Sequence, residues 1–390
     1  MKILISTPYY APAWGYGGPP KLLHEFALAL KKNGHKVYII TCDLLDNKRS
    51  VSYDDSFENI SIYRLKTASN YLAWKHKIIL PIGAFSYLNK IVKDFDFVFC
   101  SDLRHILNIA AYRACKKYNV PYSIAAYGEI AITDDWKKIF KKIYDILFGF
   151  QIAKNANYLF AQTEHEAQAY RNYIGNLFSI KIFPLAIDTK PFAKLPKKNL
   201  FREKNNISQS DKIVLFVGRF NKYKGIGELI KSVCELWHKI TNIKLVLIGR
   251  DDGYLEEMKK IIDKNNLHET IIFPGALYNQ DIISAYVDTD VFILTPTHSE
   301  ETSLASLAAL ACGCPVIVNN NNQIPWLDKY NAGIVLRKNQ SPYHSLRYLL
   351  THDKVKKRMS IAARKLALGK YSWDQRVKDF ENLIKSNKND

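Results

Sequence analysis

Three segments of the 390-residue chain combine charged or small residues in ways that suit an anionic, hydroxyl-rich ligand. The first reads Gly218-Arg219-Phe220-Asn221-Lys222-Tyr223-Lys224-Gly225, after an apolar run at 213–217 and before a helical pattern at 227–238. Arg219 offers a planar fork of donors and Lys224 a point charge, a pairing suited to a diphosphate. A solvated turn with two basic residues is the plain alternative. The second reads Thr295-Pro296-Thr297-His298-Ser299-Glu300-Glu301-Thr302-Ser303-Leu304 and joins an apolar run, Val291–Leu294, to a helix of small residues at 303–312. A carboxylate at Glu300 or Glu301 grips sugar hydroxyls through two acceptor oxygens. The backbone amides of Thr302, Ser303 and Leu304, at a helix N-terminus, favour phosphate. An acidic residue there also serves as a simple cap. The third reads Trp14-Gly15-Tyr16-Gly17-Gly18-Pro19-Pro20, between a strand at Lys2–Ser6 and a helix at 21–33. Gly17 and Gly18 let backbone approach a ligand closely. The spacing is not GxGxxG, and a tight structural turn explains it as well.

These segments need a frame. Short β-rich apolar runs alternate with helical patterns along nearly the whole chain, which predicts an α/β fold with parallel sheets covered on both faces. Residues 188–211 hold two prolines and a Lys-Lys pair without an apolar period, and read as a linker. Each half then reads as a Rossmann-like, doubly wound domain. Ligands of such sheets bind beyond the carboxyl ends of the strands. By that rule Asp102, after 97–100, and Pro274, after 271–273, are candidate site residues, although plain loop positions fit them too. Two such domains facing across a cleft would place a substrate between them.

Length and composition agree with two domains. Apolar residues at 47% and charged residues at 24% exclude a disordered chain, a collagen-like fibre and a coiled-coil rod. The net charge of +19 divides into +12 over residues 1–200 and +7 over 201–390. That points to an anionic partner, or to a Lys-rich solubilising surface. The basic residues are scattered, with no helix-turn-helix, RNP or zinc pattern, so nucleic acid is not expected. Six cysteines, with no CxxC pair and no His/Cys metal spacing, read as buried thiols, and no metal site is expected. The first residues lack the long apolar core of a signal peptide. The charge-free stretch 302–327 is interrupted by Gly313, Pro315 and four asparagines, and so reads as a buried helix and strand rather than a membrane span. A cytoplasmic protein is expected.

Residues 134–148 form a distinct pattern. Two aspartates suit a helix start, and Trp136, Ile139, Phe140, Ile143, Tyr144 and Leu147 make an apolar stripe. Lys137, Lys138, Lys141 and Lys142 take the other face. Such a helix suits an anionic membrane surface, with Trp74-Lys75-His76-Lys77 as an addition, or packs its stripe on the first domain's own sheet.

The order of the motifs resembles glycosyltransferase family 4. It runs from the Gly-Gly loop through Arg219 and Lys224-Gly225 and the Glu300 loop to Cys312-Gly313-Cys314-Pro315-Val316. Gly17-Gly18-Pro19 with Asn33-Gly34-His35, then Thr163-Glu164 and Tyr371-Ser372-Trp373, extends the likeness over almost the whole chain. The resemblance implies a GT-B architecture. The N-terminal, acceptor-side domain would cover 1–190 plus a returning helix at 372–390, and the nucleotide-sugar domain 191–371. It implies a retaining transferase needing no cofactor, which uses a UDP- or GDP-sugar donor and a glycan or lipid-linked acceptor. Lipid-linked acceptors are common in the family, which suits a peripheral place on the cytoplasmic face of a membrane. Arg219, Lys224 and Glu300 then stand at catalytic positions, Gly17, Gly18, Gly218, Pro274, Thr302, Ser303 and Leu304 on the donor, and Tyr127 and Asp102 on the acceptor side. The chain departs from the family pattern in four places. The second glutamate, eight positions after Glu300, falls on Ala308. The site histidine falls on Tyr127. Glu301-Thr302-Ser303 replaces Gly-Phe-Gly, and Pro184-Leu185-Ala186 replaces Pro-Asn-Gly. Ala308 and Tyr127 motivate an alternative, a non-catalytic sugar-nucleotide-binding or scaffold protein on the same fold.

Overall fold

The computed structural model describes residues 1–16, 18–45, 48–49, 55–130, 138–176 and 178–386. The chain divides into two compact units: Met1–Leu185 with Arg376–Asp390, and Ala186–Gln375.

In the first unit, β1 (Lys2–Ser6), β2 (Lys36–Cys42), the short ribbon β3 (Leu44–Leu45) and β4 (Lys48–Arg49), β5 (Asp55–Phe57), β6 (Ile60–Leu65), β7 (Phe97–Ser101), β8 (Tyr122–Ala125), β9 (Tyr158–Ala161) and β10 (Ile180–Ile182) follow in chain order. The main sheet runs β10-β9-β8-β7-β1-β2-β6-β5, parallel except for the edge strand β5. Helices α1 (Gly18–Lys32), α2 (Ala84–Ile91), α3 (Ile106–Tyr118), α4 (Lys138–Tyr144), α5 (Phe150–Lys154) and α6 (Glu164–Ile174) alternate with the strands. Strands β7, β8 and β9 are buried at every residue, as expected where helices cover both faces. The C-terminal helix Trp373–Ser386 brings Phe380, fully buried, against Phe26 and Phe97 at 5.5 Å each. Truncating a core Phe of this kind costs about 3–5 kcal/mol. The chain winds outward in both directions from β1 and β7, so the carboxyl ends of these two strands mark the unit's switch point.

The second unit contains β11 (Lys212–Val217), β12 (Ile243–Ile248), β13 (Ile271–Gly275), β14 (Val291–Leu294), β15 (Val316–Asn319) and β16 (Gly333–Leu336), in the order β13-β12-β11-β14-β15-β16. All pairs are parallel. Its helices are α7 (Leu200–Lys204), α8 (Ile226–Trp237), α9 (Leu255–Lys264), α10 (Asn279–Val287), α11 (Leu304–Ala311), α12 (Tyr343–Thr351) and α13 (Asp353–Lys370), with α14 (Trp373–Ser386) beginning here. The switch point lies between β11 and β14. The expected doubly wound α/β fold is present in both units.

One expectation needs correction, and one of two open alternatives drops out. Residues 188–211 are not a loose linker. Phe192, Phe201 and Ile207 are buried, and the Asp288 carboxylate accepts from the N–H groups of Asn199 (2.6 Å), Phe201 (2.9 Å) and Arg202 (3.2 Å) at the start of α7. The stripe at 134–148 is not packed on the sheet. Trp136 and Lys137 lie outside the described residues, but Ile139, Phe140, Ile143 and Leu147 are exposed, alongside Lys138 and Lys142. A π-helical turn, Asp145–Gly149, follows α4 and directs Asp145 and Gly149 inward instead. Tyr144, assigned to the stripe by spacing, turns to the core with Phe148. Among the described residues no helix is long and apolar enough to cross a membrane. The stretch 302–327 contributes α11 and β15.

Candidate functional site

The loops that follow β11 and β14 are held together by backbone, because the two strands are neighbours. Asn221 starts a 3-10 turn, Lys222–Lys224, by accepting from Tyr223 N–H at 3.0 Å. Gly225 ends the turn in the left-handed region (φ 76°), and a Cβ there would stand 2.1 Å from the Thr295 carbonyl oxygen. Only glycine permits that approach. Thr297 N–H then donates to the Tyr223 carbonyl at 2.8 Å. The result is an ion pair between Lys224 Nζ and Glu300 Oε1.

Arg219 faces the other neighbour. Its Nη1 donates to Asp252 Oδ2 at 2.7 Å, and Asn221 Nδ2 reaches the same oxygen at 3.2 Å. Gly218 extends the pairing with β12, donating to the Ile248 carbonyl at 3.0 Å. The Arg219 side chain is 56% exposed and that of Glu300 32%. An ion pair as open as Arg219–Asp252 contributes about 0–1 kcal/mol, whereas the Lys224 side chain is only 18% exposed.

The Glu300 loop is carried by the asparagines after β15. Asn319 Nδ2 and Asn321 Nδ2 each donate to the Pro296 carbonyl at 2.9 Å, and Glu300 N–H donates to the Asn321 carbonyl at 2.6 Å. Buried Asn322 accepts from Ser303 N–H and donates to Ser306 Oγ, both at 3.2 Å. Ser303 caps α11 by accepting from Ala305 N–H at 3.2 Å, and Thr302 Oγ1 donates to the Gln323 carbonyl at 2.8 Å. This corrects the expectation for Ser303: its amide is bound to Asn322 and does not point free at a phosphate. Thr302 and Leu304 N–H have no acceptor among the described residues. Ala308 lies half-buried on α11. Pro274, at the end of β13, lines a cavity of about 330 Å³ between α7 and α10 with Phe201 and Gln280. Arg219, Lys224 and Glu300 do not line it.

In the first unit, Asp102 and Tyr127 follow β7 and β8, and both adopt left-handed backbone (φ 58° and 49°). Two carboxylates staple their loops. Glu129 accepts from Leu103 N–H (2.9 Å) and Arg104 N–H (3.2 Å), and Glu166 accepts from Gly128 N–H (2.6 Å) and Gln162 N–H (2.7 Å). Arg104 closes the set with a two-point bond to Asp145, 2.9 Å on each side. Burial raises the Asp102 pKa well above its ordinary value, and the Glu129 carboxylate adds to the rise. Tyr127 is raised by burial and then by Asp102. Tyr9, on the loop after β1, is raised chiefly by Asp102 and stacks on Tyr16 at 4.8 Å. Gly18 is the exposed first residue of α1, and Gly17 lies outside the described residues. Among the described residues no group of three His, Cys, Asp or Glu side chains could hold a metal ion. The cysteines are free thiols, buried except Cys234.

Sequence reasoning missed Asp252, Asn319, Asn321, Asn322, Glu129 and Glu166. The asparagine run was visible as a break in an apolar stretch. The carboxylates give little local signal: Glu129 and Glu166 bind backbone N–H groups 25–38 residues away, and Asp252 binds Arg219 from 33 residues away.

Residues 197–366 match the family described as Glycosyl transferases group 1. An uncharacterised glycosyltransferase of Methanocaldococcus jannaschii, MJ1607, is 25% identical over 99% of this chain and 98% of its own. An alpha-monoglucosyldiacylglycerol synthase of Streptococcus pneumoniae is 28% identical over 36% of this chain and 32% of its own. HepE of Anabaena in complex with UDP superimposes with a TM-score of 0.77 at 14% identity, over 99% of this chain and 100% of its own. Its complex with UDP-glucose gives 0.72. The structural likeness is one of fold, two parallel-sheet α/β domains of GT-B type.

Proposed function

We propose that this chain, whose residues 197–366 match the glycosyl transferases group 1 family, moves a sugar from a UDP- or GDP-sugar to a glycan or lipid-linked acceptor with retention of configuration. The observation that carries this reading is the pairing of Lys224 with Glu300 at the switch point of the second unit, with Arg219 on the next loop. Lys224 and Arg219 bind the diphosphate, where negative charge grows as the bond to the sugar breaks. They supply the charge that a metal ion would otherwise bring. Glu300, released from Lys224, accepts hydrogen bonds from the sugar hydroxyls. The C1–O bond to the diphosphate breaks with its electron pair leaving on the diphosphate. The acceptor oxygen bonds to C1 on the same face, and its proton passes to the leaving phosphate oxygen. Retention is supported by the family resemblance.

The first unit holds the acceptor, with Asp102 and Tyr127 beside it. A lipid-linked acceptor is supported by the exposed apolar and lysine residues of α4, which attach the protein to the anionic surface of the cytoplasmic face. The S. pneumoniae relative, named for a lipid product, agrees with this reading.

The test is incubation with UDP- and GDP-sugars and candidate acceptors, with release of nucleoside diphosphate followed and the new linkage read by NMR. Lys224→Ala and Arg219→Ala should each lower turnover by about 100- to 1,000-fold. Binding of sugar nucleotide without release, over the full donor set, would favour the non-catalytic reading that Ala308 motivates. A product of inverted configuration would remove retention.

A further inference from the structure

The exposed apolar residues of the first unit fall largely in two segments. One is α4 with its π-helical turn, where exposure runs from 48% at Ile143 to 68% at Ile146. The other is 71–85, of which the sequence pattern singled out only Trp74–Lys77. It carries Tyr71 at 61%, Trp74 at 36%, Ile78 at 44%, Ile82 at 55% and Phe85 at 43% exposed. Single exposed apolar side chains need no explanation, but five within fifteen residues are a local concentration of the kind that marks a contact surface.

The segment is fixed to the sheet. Directly after β6, Thr67 bridges Pro81, Ala68 N–H donates to the Leu80 carbonyl at 2.9 Å, and Ile82 N–H to the Lys66 carbonyl at 2.8 Å. The segment therefore projects beyond the carboxyl end of β6. Helix α4 stands at the same end of this parallel sheet. Tyr144 Oη donates to the Leu103 and His105 carbonyls, at 3.2 and 3.0 Å, in the loop after β7. Asp102 and Tyr127 occupy that end too.

Charge selects the occupant. Residues 59–93 contain no Asp or Glu and six Lys or Arg. Lys75, His76 and Lys77 interleave with the apolar side chains, and Lys77 Nζ lies 4.4 Å over the Tyr16 ring and 5.0 Å over Trp74. Apolar side chains between cations, beside aromatics, match the boundary of an anionic bilayer, where the rings and aliphatics enter the acyl region and the lysines meet headgroups. The geometry points to residues 71–85 as a second, inserting membrane anchor, which joins α4 in turning the carboxyl end of the first unit's sheet toward a lipid surface. This rests on the membrane attachment proposed above and adds to it a specific, apolar contact.

The test is flotation of the whole chain with mixed phosphatidylglycerol–phosphatidylcholine vesicles, comparing three proteins. The Ile78→Ser, Ile82→Ser double variant, folded by circular dichroism, should lose about tenfold in partition. The Lys138→Glu, Lys141→Glu, Lys142→Glu variant tests α4 separately. A nitrobenzoxadiazole label at Ile82→Cys should shift to the blue on vesicles and be quenched by acyl-chain bromine, with the labelled unsubstituted protein as background. Unchanged partition of the double variant with an unshifted label overturns the second anchor. If the α4 variant alone loses binding, attachment through α4 survives that result. No binding of the unsubstituted protein overturns both. A dimer that the double variant splits in the absence of lipid would assign the patch to a second copy of the chain and overturn the proposal.

Discussion

Lys224 and Glu300, 76 positions apart in sequence, meet as an ion pair because β11 and β14 are neighbours and Gly225 lets their loops touch. The pair sets two functions against each other. While Glu300 holds Lys224, neither is free for a ligand. In the proposed reaction a sugar nucleotide engages both, the lysine through phosphate and the carboxylate through sugar hydroxyls.

Glu300→Gln separates these functions. The amide no longer neutralises Lys224, so a free nucleoside diphosphate should bind as tightly as in the unsubstituted protein, or more tightly. Turnover of the sugar nucleotide should fall, by about tenfold or more, since hydrogen bonds to a charged group contribute about 1.5–3 kcal/mol. Calorimetry with UDP and GDP, beside steady-state kinetics, measures both. Loss of diphosphate affinity with intact turnover would reverse the assignment.

Asp252 aims Arg219 without belonging to the reacting set. Asp252→Asn keeps the shape and an oxygen acceptor but loses the charge. The expected effect is a weaker grip on the donor, seen as a rise in KM of a few-fold, with kcat falling less. An equal fall in kcat and kcat/KM would place Asp252 in direct contact with the transition state instead.

The alternation of apolar runs made both parallel sheets legible in the sequence, because buried parallel strands must be apolar throughout. The loops at Arg219, Lys224 and Glu300 were legible for a similar reason, since each joins such a strand to a helix. What holds those loops was not. Asn322 acts on Ser303 from 19 residues away and Glu166 on Gly128 from 38, through backbone amides that any sequence possesses. The linker reading failed for that reason. The cap that Asp288 gives α7 hid a packed segment inside an apparent linker.

Asp102 makes stability depend on pH. Burial raises its pKa from the ordinary 3.8, with Glu129 adding to the shift. Above 3.8 the unfolded chain releases this proton while the folded chain keeps it, up to the elevated folded value. The folded state then binds more protons, so stability falls as pH rises through that window. Asp102→Asn should remove this slope and gain stability over the parent protein toward neutral pH. Urea midpoints from about pH 4 to 7 test it. A parallel pH profile for parent and variant would show that Asp102 ionises in the folded chain as it does in the unfolded one.

The central claim is that Lys224, with Arg219, receives a nucleotide diphosphate. Its most direct test is a calorimetric cycle in which uridine, UDP, guanosine and GDP are titrated into the unsubstituted protein and Lys224→Ala. The account predicts that one diphosphate binds clearly tighter than its nucleoside. It also predicts that Lys224→Ala removes about tenfold or more of the diphosphate affinity and leaves nucleoside affinity unchanged. Equal diphosphate affinity in the two folded proteins would contradict it.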